Sequence, residues 1–255
     1  MAELCRRGAV RRYAPWREVA DGPVARTESP TGSMSLILSF GPSLRVSSAS
    51  SPVPRSFTSF VVGMYDEPAT TEHDGIGHGL QVDLSAQGAL SLFGPPLDEL
   101  ANRTVPLDEV APFDVERLVA RMLDVPTWSE RVEALEAELE GVIGRGPSLS
   151  PQVAWVERQL RTHPSGARIG VLADEVGWSA PTLAERFRRE VGVPPKTLAR
   201  VHRYRHARAR LGASPSVSLA AVAAEAGYAD QAHLTREFRA FSDRTPSEFL
   251  ASARA

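Results

Sequence analysis

Residues 231–239 place several hydrogen-bonding side chains on one face of a predicted helix. Leu234, Phe238 and Phe241 recur at helical spacing and turn inward, which leaves the other positions outside. A Gln can bond adenine bidentately, an Arg can bond guanine, and a Thr or Ala can touch the methyl group of thymine. This outward face could therefore read the base edges of duplex DNA. Its members are Gln231, Ala232, His233, Thr235, Arg236 and Arg239.

A second predicted helix, earlier in the chain, presents a similar but less polar outward face. Leu183 and Phe187 turn inward at positions i and i+4. Glu185 repels phosphate, although its carboxylate can accept a hydrogen bond from the amino group of cytosine. The later helix is therefore predicted to be the stronger direct reader of bases. The outward residues of the earlier helix are Ala180, Thr182, Ala184, Glu185, Arg188 and Arg189.

Both helices close a repeated segment. Residues 172–178 (LADEVGW) recur as residues 222–228 (VAAEAGY), and the offset of 50 becomes 51 after the Gly-aromatic pair. Each copy has a short helix with one apolar face, a turn containing Gly177 or Gly227, and a second helix. These are the ingredients of a helix-turn-helix, and two of them in one chain predict a protein that reads duplex DNA. The units are predicted at about residues 168–190 and 218–241.

A basic helix is predicted between the two units, at about residues 195–211. A helix of this length spans about 24 Å at ~1.5 Å per residue. It could hold the units about one DNA turn apart, roughly 34 Å between successive major grooves. An arginine run alone is typical of a solvated helix face, but the position between two units favours phosphate contacts for at least two of its arginines. The predicted phosphate contacts are Arg188, Lys196, Arg203 and Arg239.

The N-terminal part of the chain has the pattern of a small β-domain. Its first 112 residues are rich in Pro, Gly and Ser, and short runs with partial apolar alternation are bounded by turn residues. We expect strands at residues 34–40, 57–62 and 79–84. The predicted fold class is therefore α+β, with the strands of a barrel or sandwich and helices over residues 1–146 and an all-α double helix-turn-helix domain over residues 151–255.

One predicted helix of the N-terminal part carries a regular apolar stripe. Its members follow one another at spacings of 4, 3, 4 and 3, which is typical of a helix or heptad face. The stripe either packs against the β-domain or forms a dimer seam, and periodicity alone leaves both interpretations open. The stripe residues are Trp128, Val132, Leu135, Leu139 and Val142.

Composition separates the two parts of the chain and excludes several classes of protein. Residues 1–150 hold 13 basic and 21 acidic side chains, whereas residues 151–255 hold 16 and 10. Such an asymmetry is expected when only the second part meets phosphates. The single cysteine, Cys5, excludes an internal disulfide and a cysteine-rich zinc site. No apolar run approaches membrane length and no secretory signal is expected, so the cytoplasm, with the nucleoid, is the predicted compartment.

The sequence predicts no metal, no cofactor and no catalytic residue. His73 and His78 lie five positions apart, without the His-x-His pair and the following Glu that metal-binding cupins use, so ordinary polar or ligand-lining roles are expected for them. There is no Gly-x-Ser-x-Gly, no phosphate-binding Gly-rich loop, and no carboxylate pair in a catalytic frame. The chain is therefore not expected to be an enzyme.

The repeated units resemble the AraC/XylS family of bacterial transcription regulators over about residues 152–253. Residues 227–238 (GYADQAHLTREF) carry the most specific part of the likeness. The resemblance implies that the recognition helices of the two units enter adjacent major grooves. By motif position, the implied base contacts are Pro181, Thr182, Ala184 and Glu185 in the first unit, and Gln231, Ala232, His233, Thr235 and Arg236 in the second.

Residues 75–100 resemble, more loosely, the N-terminal domain of a subset of actinobacterial-type members, which serves in effector sensing or dimerisation. The resemblance implies that the N-terminal domain is a small cupin-like β-barrel followed by helices. Two interpretations stay open: a domain that binds a small-molecule effector, and a protein-interaction module without a small ligand. A buried pocket with converging polar groups would favour the first, and a filled interior the second. The expected partners are double-stranded promoter DNA, RNA polymerase, a small-molecule effector and a second copy of the chain.

Overall fold

The computed structural model describes residues 3–214 and 217–252, so the outermost residues of both predicted domains lie outside the described part. The N-terminal part is built on β-sheet and the C-terminal part on helices, which confirms the predicted α+β class. Within the described ranges, no helix is both long and apolar enough to cross a membrane.

The larger sheet has five antiparallel strands: β1 (Val10–Val19), β8 (Ile76–Leu84), β3 (Met34–Ser39), β6 (Ser59–Val62) and β9 (Thr104–Pro106), in that spatial order. Its central strand β3 is buried along its whole length. Leu36 and Leu38 join a core that is shared with helices, whereas Ile37 faces Leu44 and Val46 of the second sheet. Burial on both faces explains why the sequence run at residues 34–40 is almost continuously apolar.

The smaller sheet has four strands: β2 (Val24–Glu28), β7 (Ala69–His73), β4 (Leu44–Ser48) and β5 (Arg55–Phe57), in that spatial order. The prediction of a barrel needs correction here. The strand pairings of the described residues leave the two sheets separate, with edges at β1, β9, β2 and β5, so they face each other as layers. The separation leaves an open space between the sheets that a filled small barrel would not have.

Helices cover one side of the larger sheet. They are α1 (Glu3–Arg6), α2 (Ala86–Phe93), α3 (Val115–Leu123) and α4 (Trp128–Ile143), with short 3₁₀ helices at Leu97–Leu100 and Leu107–Glu109. The predicted apolar stripe lies on α4, where Leu135 and Leu139 are fully buried. Trp128, Val132 and Val142 pack half-buried against the same core. The stripe therefore packs inside the chain.

Seven helices follow in the described C-terminal part: α5 (Pro151–Thr162), α6 (Ile169–Glu175), α7 (Ala180–Val191), α8 (Pro195–Ala213), α9 (Leu219–Glu225), α10 (Gln231–Ser242) and α11 (Pro246–Ser252). Helices α6 and α7 coincide with the first repeated unit, and α9 and α10 with the second. Helix α8 is the basic connector.

The two units have different cores. One continuous core runs from Leu4 through the larger sheet and α2 to Leu183 and Phe187 of the first unit. A separate core holds the second unit, where Leu234 and Phe238 pack with the C-terminal half of α8. The first unit therefore shares its interior with the N-terminal domain, and the second unit has an interior of its own.

Candidate nucleic-acid interface and N-terminal cavity

The turn between the two helices has the same geometry in both units. Gly177 and Gly227 have φ angles of 71° and 78°, the left-handed conformation that favours glycine at the end of a helix. The backbone amide of Trp178 donates to the carbonyl of Ala173 at 2.9 Å, and that of Tyr228 donates to Ala223 at 2.8 Å. The sequence repeat is thus a repeat of local structure.

In the first unit the predicted base-contact residues lie along the N-terminal half of α7. Pro181 and Glu185 are exposed, whereas Thr182 and Ala184 are half-buried. The hydroxyl of Thr182 lies 2.8 Å from that of Ser179, the residue that caps the helix, so it is engaged within its own turn. Of these four, only Glu185 presents a charged group to solvent.

In the second unit the predicted base-contact residues lie on α10, and more of them are free to reach out. Gln231, Ala232 and Arg236 are exposed, and so is Arg239, which we predicted to contact phosphate. Asp230 caps the helix by accepting from the backbone amide of His233 at 2.6 Å. The N-terminal end of α10 is therefore ordered by its cap while its polar side chains remain available.

Two predicted base contacts of α10 are partly used inside the unit. The Thr235 hydroxyl donates to the carbonyl of Gln231 at 2.9 Å. The His233 ring meets the ring of Tyr228 edge-on, with centroids 5.2 Å apart. Both side chains are half-buried. Gln231 and Arg236 are consequently the side chains of this face that are most available to bases.

The predicted phosphate contacts on the connecting helix differ in their surroundings. Lys196 is exposed in the first turn of α8. Arg203 is half-buried, with its guanidinium 3.6 Å from a carboxylate oxygen of Glu237 and 5.5 Å from the centre of the Tyr228 ring. The Nε of Arg200 donates to Glu237 at 2.7 Å. Glu237 thus links α10 to α8. This role was not predicted from the sequence, because the partners lie far apart in the chain.

The remaining predicted phosphate contact, Arg188, faces the N-terminal domain. Its Nε lies 3.4 Å from Oδ2 of Asp98 in the Leu97–Leu100 helix, with the Arg188 side chain 55% exposed. Nearby, Glu190 accepts from the backbone amide and the hydroxyl of Ser150 at 2.7 and 3.0 Å. The C-terminal end of α7 is therefore anchored to residues outside its own unit.

A cavity of about 520 Å³ lies between the two sheets. Its apolar wall includes Trp16, Ile37, Val46 and Phe60, and polar side chains converge on it from both sheets. The sequence did not reveal it, because its lining comes from strands that meet only through sheet pairing. The described lining residues are from β1, β2, β3, β4, β6, β7, β8 and β9 and from the adjoining loops.

The two histidines that could have suggested a metal lie on different sheets. His73 is buried on β7 and lines the cavity, with Nε2 3.1 Å from a carboxylate oxygen of Glu18. His78 is on β8, where its ring packs at 5.9 Å from that of Phe40. No group of three His, Cys, Asp or Glu side chains in the described ranges is placed to hold a metal ion.

The cavity touches the DNA-binding part through a short segment, residues 29–33, which lies between β2 and β3. Ser29, Thr31 and Ser33 line the cavity. The Tyr204 hydroxyl of α8 donates to the Ser29 hydroxyl at 2.9 Å. Tyr204 is fully buried and packs on Phe238 of α10, with ring centroids 5.1 Å apart. One buried side chain thus joins the cavity wall to the interior of the second unit.

Comparison with known proteins agrees with this architecture. Residues 172–252 match the family model of a helix-turn-helix domain. The C-terminal part of the chain is a helix-turn-helix domain, as its two repeated units predicted. No curated protein sequence matches the chain.

Two solved structures of ToxT from Vibrio cholerae share the fold over nearly the whole chain. One, at 1.65 Å resolution, is 9% identical, covers 95% of this chain and 98% of its own, and gives a TM-score of 0.56. The other, wild-type ToxT from strain SCE256 with an unsaturated fatty acid bound, is 11% identical, covers 92% and 97%, and gives 0.51. A probable AraC family transcriptional regulator from Rhodopseudomonas palustris CGA009 is 28% identical over 42% of this chain and 100% of its own, with a TM-score of 0.38.

Proposed function

We propose that this chain is a sequence-specific transcription regulator that binds promoter DNA through α7 and α10. The observation that carries the proposal is the pair of helix-turn-helix units with equal turn geometry, each presenting the outer face of its second helix. Such helices enter the major groove. The exposed Gln231 and Arg236 supply base-reading groups, and Lys196 and Arg239 supply phosphate contacts. For a regulator of this kind we expect the cytoplasm as the compartment, and RNA polymerase and a second copy of the chain as further partners.

Selection of binding sites from a random duplex library with the full-length chain tests this function. We expect enrichment of sites with two conserved blocks about one helical turn apart, roughly 10 base pairs between centres. Recovery of no sequence preference above that of an unselected library would contradict the proposal.

We further propose that a small-molecule effector bound between the sheets controls DNA binding. The cavity is of a size that holds drug-sized ligands and combines an apolar wall with converging polar groups. The ToxT structure with a bound unsaturated fatty acid has the same overall fold, which supports an amphipathic ligand here. The hydrogen bond between Tyr204 and Ser29 offers a route from the cavity to α8 and α10. These contacts favour effector sensing over a protein-interaction module.

A thermal-shift screen of metabolites on the full-length chain tests the effector role, since a bound ligand raises stability by mass action. The full chain is required because the N-terminal domain shares its core with α7. A compound that stabilises the wild type should lose its effect in Val46→Trp, which fills the cavity. Val53→Trp, in an exposed loop, is the matched control. A compound that stabilises both variants equally binds elsewhere and would contradict this site.

A further inference from the structure

The walls of the cavity are apolar at their centre. Ile37 and Phe60 of the larger sheet face Leu44 and Val46 of the smaller one across the space. Trp16 adds an aromatic wall that depends on two glycines of β8: a Cβ at Gly77 would lie 2.7 Å from its ring, and one at Gly79 would lie 2.9 Å from it. A ligand bound here would exchange its hydration water for contacts with apolar side chains on several sides.

The charged groups at one part of the cavity are already paired with each other. Arg12 donates through Nε to Asp83 at 2.8 Å. Asp83 is buried and also accepts from the hydroxyl of Ser35 at 2.8 Å and from the side-chain amide of Gln81 at 2.7 Å. The carboxylate therefore neutralises Arg12, and three donors satisfy the carboxylate.

A second paired group lines the cavity from β1, β2 and β7. Arg26 donates through Nε to Glu18 at 3.1 Å, and the His73 ring lies against the same carboxylate. These hydrogen bonds lower the pKa of Glu18, which keeps it ionised. Of the three arginines among the described lining residues, only Arg17 lacks a carboxylate partner, and Arg17 is exposed to solvent. The chain has a single lysine, Lys196, which is on α8.

These pairings decide which ligand charge the cavity can accept. A carboxylate placed among Ile37, Phe60 and Val46 would lose its hydration, and the arginines nearest to it are committed to Asp83 and Glu18. The paired carboxylates would also repel it. An uncharged ligand meets neither cost, and its hydroxyl or amide groups can bond to the polar lining.

We propose that the cavity binds an uncharged, mainly apolar molecule with hydroxyl or amide groups and discriminates against its carboxylate counterpart. This inference rests on the proposed effector role of the cavity and specifies the chemical class of the effector. It differs from simple transfer of the fatty-acid ligand, because the selecting feature is the internal pairing of Arg12 and Arg26.

Calorimetric titration of the full-length chain with decanol and decanoate, which have the same alkyl chain, tests the proposal. We expect decanol to bind at least about tenfold more tightly than decanoate. Asp83→Asn keeps an acceptor for Ser35 but leaves Arg12 without its counter-charge. In that variant decanoate binding should strengthen at least about tenfold while decanol binding stays within about twofold.

Two further variants keep the test decisive. Glu18→Gln unpairs Arg26 and should shift the preference in the same direction if Asp83→Asn fails to fold. Glu138→Gln releases Arg121 from a 3.0 Å ion pair between α3 and α4, outside the cavity lining, and should leave both affinities unchanged. Tighter binding of decanoate than decanol by the wild type, or binding of neither probe, would overturn the proposed ligand class.

Failure of the proposed effector role can be distinguished from failure of the proposed ligand class. If decanol binds in preference to decanoate but leaves the affinity for a selected duplex unchanged, the ligand class stands and the effector role is wrong. If the duplex affinity responds to decanoate rather than to decanol, the effector role stands and the ligand class is wrong.

Discussion

The two helix-turn-helix units share a local structure but differ in what holds them. Helix α7 ends at Gly192, whose φ of 105° requires glycine and where an added Cβ would lie 2.9 Å from Met34 of the larger sheet. Helix α10 ends at Asp243, also left-handed with a φ of 56°, but exposed to solvent. The same helix end is thus docked on the N-terminal domain in the first unit and free in the second.

The outward faces of α7 and α10 also differ: the helix with the docked C-terminal end has fewer polar groups on its outward face. The first unit presents Pro181, Ala184 and Glu185, which offer few donors to DNA. The second unit, whose recognition helix has an exposed C-terminal end, presents Gln231 and Arg236. We propose that the first unit is positioned by the N-terminal domain and that the second unit reads bases. Variants that act on one unit at a time test this difference between the units.

The largest effect is expected from substitutions that remove a large buried side chain from either core. Phe187→Ala and Phe238→Ala should each cost about 3–5 kcal/mol of local stability, because both rings are fully buried. Hydrogen exchange should separate them. Loss of protection in Phe238→Ala should be confined to the C-terminal half of α8 and to α9–α11, whereas in Phe187→Ala it should extend into α2 and β3.

Leu123→Ala, at an exposed residue of α3, serves as the control and should change protection nowhere by more than local fraying. If both Phe variants lost protection over the same residues, the two units would form one cooperative body, and the contrast between a core shared with the N-terminal domain and a separate core would be wrong.

The next largest effect is expected at the reading face. Arg236→Ala should cost about 1–3 kcal/mol at one base position of a selected site and relax the preference there. Glu185→Ala should change duplex affinity by less than about 1 kcal/mol, because the carboxylate can accept a hydrogen bond from cytosine but also repels phosphate. Gel-shift titration against single-base variants of the site measures both, with Arg117→Ala, at an exposed position of α3, as the charge control. A larger loss from Glu185→Ala than from Arg236→Ala would reverse the assigned roles.

The sequence was sufficient for whatever depends on neighbours within one repeat. The turn at Gly177 and Gly227 and the inward spacing of Leu183 with Phe187 are local patterns, and they predicted the two units and their outward faces. The resemblance to a known family strengthened the same assignment. These features can be predicted without knowledge of the tertiary structure, because a glycine at a positive φ and a helical apolar stripe each indicate one kind of local structure.

What the sequence could not predict depends on residues that meet across long separations. Tyr204 and Ser29 are 175 positions apart, and Arg12 and Asp83 are 71 apart, so no local pattern connects them. The barrel prediction was wrong for the same reason, since alternation identifies strands but not which edges pair. Arg203 was predicted to contact phosphate, and its contact with Glu237, 34 positions away, was not predicted.

A moderate effect is expected from the protonation of His202, a residue of α8 that faces Gly32 of the N-terminal domain. It is 4% exposed, and burial together with Arg11, Arg205 and Arg161 lowers its pKa to about 3. In the unfolded chain its pKa is near 6.5. Protonation therefore favours the unfolded state once the pH falls below about 6.5, so stability is full above that pH and declines toward pH 3.

Between pH 7.5 and 5.5 this histidine should cost about 1 kcal/mol of stability, which His202→Gln should remove. Thermal melts of both proteins at the two pH values measure the difference. The drop should be smaller in the variant by about 2–4 °C. Equal decreases in melting temperature would show that His202 is not shielded from water at the junction with the N-terminal domain. The first unit would then be packed less tightly against that domain than the structure indicates.

The smallest effect is expected from the ion pair that joins the first recognition helix to the N-terminal domain. The pair of Arg188 and Asp98 is partly exposed and so contributes less than about 1 kcal/mol. Asp98→Asn frees the guanidinium for phosphate, so the affinity for a selected duplex should rise by less than about fivefold and the salt dependence should steepen by about one contact. Asp108→Asn removes the same charge from an exposed position and corrects for net charge. If the two variants respond identically, Arg188 makes no phosphate contact and the first unit is positioned by its shared core alone.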